Sequence, residues 1–368
     1  MKNVLIAGGG LAGLVSACLL SKRGIAVTLI ERKSYPFHRV CGEYISNETL
    51  SFLHHNNLLP DLTLPRINRL QLTSVNGKSA IFPLDLGGFG ISRYTFDHFL
   101  YKEALAAGAH VLQNTEVEDI SYDDDGFTVK TLNQDYRADV VLGAFGKRSR
   151  LDLKLDRSFI KSRSPYAAVK YHIKTIHPPD LIALHNFKNG YCGISAVDGE
   201  KQTLCYLTHR HNLKHHGNLR AMEQAVLFSN PFLKTIFQNA EFLYAKPEVI
   251  NEISFAKKTP VTQHILMAGD AAGMITPLCG NGMAMALHAA KIASDLITEF
   301  CESRINRAHL ENEYARKWNT LFARRLWAGR QIQKLFGAEW TSNLAVGLVK
   351  HVKPVAGWLV KQTHGVPF

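Results

Sequence analysis

A chain of 368 residues, 46% of them hydrophobic, can bury a sizeable core in one large domain or a few closely associated ones, which excludes wholesale disorder. Its formal net charge of +12 suits solubility, an anionic membrane surface or an acidic carrier protein, and no nucleic-acid-binding motif accompanies it. No window holds the roughly 18 consecutive apolar residues of a membrane-spanning helix, and the scattered Cys18, Cys41, Cys192, Cys205, Cys279 and Cys301 form no C-x-x-C pair, so they read as reduced thiols of a cytoplasmic protein with no metal site.

The chain opens MKNVLIAGGGLAGLVSACLLSKRG, whose lysine, apolar run and small residues have the look of a secretory leader. The same letters predict a buried strand over 4–7, a tight turn at Gly8-Gly9-Gly10, and a helix over 11–22 with Leu11, Leu14, Val15, Cys18 and Leu19 on one face. Gly24 ends that helix, 26–30 is a second strand, and Glu31 stands at its carboxyl end, 18 residues beyond Gly13. In this setting Gly8-x-Gly10-x-x-Gly13 is a dinucleotide-binding fingerprint. Gly8 permits the turn, Gly10 lets a pyrophosphate approach the backbone, and Gly13 lets helix and strand pack closely. The helix N-terminus offers free N–H groups to the phosphates, and Glu31 can accept hydrogen bonds from an adenosine ribose. A leader leaves Glu31 and the second strand unexplained, so the segment is expected to remain in the mature protein.

Further along, PFHRVCGEYIS follows the second strand, and 69–75 and 78–84 read as a hairpin about Asn76-Gly77. GISRYTFDHFLYKEALAAGAHV carries Arg93 within reach of Asp97. Strands are predicted over 165–177, 181–187, 190–197 and 203–209, in a mixed or antiparallel sheet. Along AAVKYHIKT, Val169, Tyr171 and Ile173 point to core or pocket, and Lys170, His172 and Lys174 form a basic, wet face. His209, His211, His215 and His216 have no carboxylate or cysteine beside them and read as a solvated loop rather than a metal site. HILMAGDAAGMITPLCGNGMAMALHAAKIASDLI predicts a strand over 265–268, Gly269-Asp270, a loop through Pro277 and a helix from Asn281-Gly282. From Arg307 the chain reads as helical, ending in an apolar stripe of Leu344, Leu348, Val352, Val355 and Leu359, kinked at Pro354, with Lys350, Lys353 and Lys361 opposite. Such a stripe docks on its own domain, on a membrane or on a partner.

Together, Gly269-Asp270 and the N-terminal fingerprint resemble FAD-dependent enzymes with the p-hydroxybenzoate hydroxylase fold, and Pro36, Arg39, Cys41 and Gly42 are similar to the P-x-x-(K/R)-x-C-G stretch of its geranylgeranyl-reductase-like branch. The resemblance implies an α/β protein: a Rossmann-type FAD-binding domain (1–65, 90–160 and 250–300), interleaved with a β-sheet substrate domain (66–89 and 161–249), and a helical C-terminal region (301–368). It implies cofactor contacts from Gly8, Gly10, Leu11, Ala12, Gly13, Glu31, Arg32, Arg39, Arg93, Gly269, Asp270, Pro277, Gly280, Asn281, Gly282 and Met283. ADVVLGAFGKRS stands at the family's Asp-Gly motif with Phe145 in place of the aspartate. No second GxGxxG follows a strand, so NAD(P)H is expected as a transient reductant only.

The substrate half departs from the branch. Its reductases carry an aromatic-x-Trp-x-Phe-Pro strand, whereas NGYCGISAV supplies Tyr191 but puts Gly193 for Trp and Ser195-Ala196 for Phe-Pro. The Trp-x-Trp-x-Ile-Pro stretch of flavin halogenases is missing too. The expectation is a monooxygenase that hydroxylates an aromatic or polyketide-like apolar substrate with NAD(P)H and oxygen, with a prenyl- or lipid-chain ene-reductase and a non-catalytic flavoprotein partner as alternatives. Cys41 is expected to face the flavin ring, with Tyr191, His185 and His172 as candidate bases. The substrate is expected to be lipid-like or held on an acidic carrier protein, with peripheral contact to the inner face of the membrane.

Overall fold

The computed structural model describes residues 2–123, 126–161, 164–351 and 353–368. Its first layer is a six-stranded sheet in the order Val261–Thr262, Ile265–Met267, Val140–Gly143, Asn3–Ala7, Ala26–Ile30, His110–Leu112, parallel except at the first pair. Val4 to Ala7 are all buried, as a central parallel strand covered on both faces requires. Helix Leu11–Lys22 packs between this sheet and helices Arg93–Ala106 and Gly282–Cys301. It is buried at every position from Leu11 to Leu20, not only along the expected stripe, because helices cover its outer side as well.

The second layer is a nine-stranded, mostly antiparallel sheet. Its path runs Glu241–Phe242, Tyr166–Lys174, Lys201–His209, Gly190–Val197, Leu181–Phe187, Arg66–Thr73, Ser79–Gly90, Tyr44–Ser46, and Glu248–Ile253 also pairs with Tyr166–Lys174. Leu181–Phe187 and Arg66–Thr73 form its parallel pair. Strands Tyr44–Ser46 and Glu248–Ile253 belong to this sheet, beyond the expected limits of its residues. One face packs Val169, Ile173, Phe187 and Cys192 against helices Leu219–Val226 and Pro231–Asn239. The other gathers Leu72, Ala168, Leu184, Tyr191 and Leu207.

The hairpin about Asn76-Gly77 forms, with its strands ending at Thr73 and resuming at Ser79 and Ser74 N donating to Lys78 O; Gly77 (φ +79°) lies against Pro231, where a Cβ would sit 2.5 Å from the ring. Two local expectations are corrected. The face holding Lys170 and His172 is dry: both are buried, and only Lys174 is exposed. The C-terminal region breaks into helices Arg307–Gln333, Glu339–His351 and Lys353–Thr363, so Pro354 falls in a first helical turn, where its missing N–H costs nothing, and does not kink a longer helix. The first break is fixed by Gly337 (φ +87°), whose backbone meets the Asn189-Gly190 turn: Asn189 N donates to Gly337 O at 2.6 Å. Lys350, Val352, Lys353, Val355 and Leu359 lie outside the described side chains. Among the described residues no helix is long and apolar enough to cross a membrane.

Candidate active site: a cofactor cleft continuous with an apolar chamber

A cavity of about 480 Å³ lies between the carboxyl ends of the parallel strands, marked by Ala7, Ile30, Ala144 and Ala268, and the nine-stranded sheet. Gly8 leaves the first strand at φ +109°, where a Cβ would stand 2.5 Å from the Ala144 carbonyl oxygen. Gly13 lets the next helix start close against that turn, since a Cβ there would sit 2.0 Å from Gly8 O. Gly13 therefore acts through packing and does not reach the cavity wall. Gly10 leaves open the space before Arg93, whose Nη2 lies 3.8 Å from where its Cβ would be.

Two helix N-termini open into this one cavity. Helix Leu11–Lys22 starts after Gly10 and helix Gly282–Cys301 after Asn281, both without a side-chain cap. Leu11, Ala12, Gly282 and Met283 line the cavity. Helices Arg93–Ala106, Leu219–Val226, Pro231–Asn239 and Arg307–Gln333 are capped by Ser92, Asn218, Asn230 and Asn306. The open pair leaves orphan N–H donors and positive dipole ends toward a shared ligand.

Glu31, Arg32, Arg39, Arg93, Gly269, Asp270, Pro277 and Gly280 complete the cofactor end of the wall. Buried Glu31 accepts from Gly9 N at 2.9 Å and from Arg39 Nη2 at 3.2 Å. Arg39 Nε also donates to Asp97 at 2.9 Å, and Arg93 grips Asp97 through two bonds of 2.7 and 2.8 Å. The Arg93–Asp97 pair is thus present at the cavity, not out on the surface. Below Asp270, the buried Lys258 ammonium donates to the carbonyls of Asp270 and Lys147, both at 2.8 Å. Burial pushes its pKa down to about 8, against the pull of Asp152 and Asp270. Asn281 is off the wall: it is fully buried and donates to Glu48 at 3.2 Å.

The far end of the cavity is the chamber. Cys41, Leu184, Tyr191, Gly193, Leu207, Ile250 and Met274 line it. Tyr191 is buried, which raises its pKa well above the ordinary phenol value. His185 faces away, because strand alternation turns Leu184 to the cavity instead. His185 bonds Thr73 Oγ1 at 3.0 Å and stacks on Phe232, and burial pushes its pKa down to about 3.

Sequence reasoning passed over Glu43, which lines the cavity beside Cys41. Fully buried at φ +55°, its carboxylate accepts from Arg93 N at 2.8 Å, His172 Nε2 at 2.7 Å and Lys170 Nζ. Burial alone would raise its pKa, but the Lys170 charge and the His172 and Lys170 hydrogen bonds hold it below the usual carboxylate value. His172 therefore meets Glu43 and is not itself on the cavity wall. The available signal was two cationic-type residues, Lys170 and His172, spaced by two on a strand otherwise fit for burial.

A family described as FAD binding domain matches residues 1–311. The chain belongs to that family. This FAD-binding-domain protein is 25% identical over 333 residues to digeranylgeranylglycerophospholipid reductase 3 of Methanosphaera stadtmanae, across 85% of this chain and 81% of the relative. It is 24% identical over 360 residues to conditioned medium factor receptor 1 of Dictyostelium discoideum, across 87% of this chain and 68% of the relative. The flavin-dependent brominase Bmp2 shares the fold at a TM-score of 0.80 and 17% identity, over 98% of this chain and 93% of that one. The expected α/β architecture and the likeness to geranylgeranyl reductases both hold. The cleft fits FAD: the N-terminus after Gly10 would hold the pyrophosphate, Glu31 the adenosine ribose, Asp270 the ribityl chain, and the N-terminus at Gly282 the electron-rich edge of the flavin.

Proposed function

We propose that this FAD-dependent oxidoreductase hydroxylates an apolar substrate carrying an electron-rich ring, with NAD(P)H as transient reductant and oxygen as co-substrate. The observation that carries the reading is the chamber wall at Gly193, where a Cβ would meet nothing closer than 3.5 Å. A bulky side chain there would project into the chamber; glycine leaves room for a flat ring. Bound FAD supplies two-electron reduction and oxygen activation. The net change balances as substrate C–H, oxygen, NAD(P)H and a proton giving C–OH, water and NAD(P)⁺.

The chain's own residues bind, orient and exclude water. Leu184, Leu207, Ile250 and Met274 surround the reacting ring with apolar surface. Tyr191 lines the chamber while its hydroxyl is buried, so it adds aromatic surface to the ring pocket. Glu43, held as a carboxylate by Arg93 N, His172 Nε2 and Lys170 Nζ, sets a fixed negative charge beside the chamber that orients a polar substrate group.

Reduction of a prenyl-chain double bond is the second reading, favoured by the name of the Methanosphaera relative. Turnover with a long-chain phenol and with a prenyl lipid, under labelled oxygen and under nitrogen, separates the two. Hydroxylation incorporates one labelled oxygen atom and stops without oxygen. A product that gains two hydrogens under nitrogen would overturn it.

A further inference from the structure

The exposed tryptophans of the C-terminal helices have no part in the cofactor site. Trp327, Trp340 and Trp358 stand one on each of three consecutive helices, and Trp340 is 75% and Trp358 60% exposed. The last helix packs on both of the others. Leu344 and Leu348 are exposed too, and with Trp340 they recur every four residues along helix Glu339–His351. At 100° per residue these three span one narrow stripe, and Ser342 and Val346 fall about 180° away from it. Among the described residues of the helix those two are the buried ones, each 1% exposed. Val346 packs in one cluster with Leu184, Tyr191 and Met274, all three of which line the chamber. The helix therefore packs behind the residues that line the chamber, with its other side turned to solvent as an apolar stripe.

The charge along this stretch is predominantly positive. From 324 to 368 the chain holds seven Lys/Arg against one acidic residue, Glu339. Arg324, Lys334 and Lys361 are exposed. Lys361 has only a loose contact at 3.8 Å to the equally exposed Asp85, worth little in water. Tryptophan with a ring body and an N–H, leucine, and lysine that extends its charge upward together match the depth profile of an anionic bilayer interface.

We propose that these helices form a docking face for an anionic phospholipid bilayer, which brings the cluster behind the chamber lining close to the lipid that holds the substrate. This rests on the apolar substrate proposed above and names where that substrate comes from. Lys334 and Lys361 supply long-range attraction, and Trp340, Leu344 and Leu348 supply insertion.

The test uses the full chain loaded with FAD and sedimented with vesicles of phosphatidylcholine alone or with phosphatidylglycerol, at low and high salt. Binding is expected only with phosphatidylglycerol and is lost as salt rises. Lys334→Gln with Lys361→Gln should weaken partitioning about thirtyfold, at roughly fivefold per lysine. Trp340→Ser with Leu344→Ser and Leu348→Ser should abolish the blue shift of tryptophan fluorescence on vesicles while the flavin spectrum and melting temperature hold. If the triple variant fails to fold, the lysine pair alone decides. No binding to either vesicle, equal binding to both, or a dimer in light scattering that the triple variant dissolves would overturn the proposal; in the last case a second copy of the chain covers the stripe. Substrate dispersed in detergent keeps the two readings apart. Docking variants should turn it over like the wild type, and vesicle binding without any turnover would sink the proposed reaction while leaving docking intact.

Discussion

Replacing Glu43 by leucine removes the carboxylate from a site where Lys170 is itself fully buried. The ammonium would keep the Arg39 carbonyl at 3.1 Å as a partner but lose its counter-charge, and the His172 ring and the Arg93 N–H would lose their acceptor. Breaking one side of a buried ion pair costs about 3–5 kcal/mol. The charge stranded is the same one that Lys170→Met would delete, so the two losses overlap. Urea unfolding of Glu43→Leu, Lys170→Met and the double variant should therefore give a double cost smaller than the sum by roughly 1–3 kcal/mol. The wild type should also carry an acid limb that Glu43→Leu lacks. A carboxyl held below its unfolded value stabilises fully above that value and loses its contribution as pH falls through the folded one. Strictly additive costs, or an unchanged acid limb in Glu43→Leu, would show that the cluster is not coupled as its geometry requires.

Asp270→Ala should weaken FAD binding by about 1–3 kcal/mol in a titration of the apoprotein, the usual worth of a charge-assisted hydrogen bond; unchanged affinity would remove Asp270 from the cofactor site. His185 is held neutral in the fold with its pKa near 3, so it favours folding above the ordinary histidine value and costs stability as pH falls from about 6.5 toward 3. His185→Asn should flatten thermal stability over that window by up to about 1.4 kcal/mol per pH unit and leave FAD affinity intact; an equal slope in both proteins would refute the assignment.

The cofactor half was legible because its elements are local. A strand, a glycine turn, a helix and an acid at fixed spacing put Gly8, Gly10 and Glu31 on the cavity wall without help from distant chain. The strands at Leu181–Phe187 and Gly190–Val197 were legible for the same reason, as alternating runs between turn residues. What sequence did not disclose depends on contacts across long separations. Lys170 reads as a surface residue until Glu43, 127 positions earlier, is brought over it by strand Tyr44–Ser46 joining the same sheet. His185 reads as a base until register assigns Leu184 to the chamber. Asn281 has the expected helix-start position, yet Glu48 and not the cavity claims its amide. Sheet register and the face of a strand are settled by partners, and local periodicity gives only the alternation.

The two uncapped helices mean that a ligand finishes the protein's own secondary structure. Helices such as Arg93–Ala106 and Arg307–Gln333 carry their caps in the sequence, at Ser92 and Asn306. The pair beginning after Gly10 and Asn281 borrow theirs from whatever occupies the cleft, and one of them is buried at every position from Leu11 to Leu20. Occupancy of the cleft therefore enters the folding equilibrium itself, by about 2.7 kcal/mol when free ligand stands at 100 times its dissociation constant. A lesion far from any reaction, if it loosens that grip, would register first as a shortened lifetime of the protein in the cell, and a supply of cofactor would act on such a variant as a chaperone does.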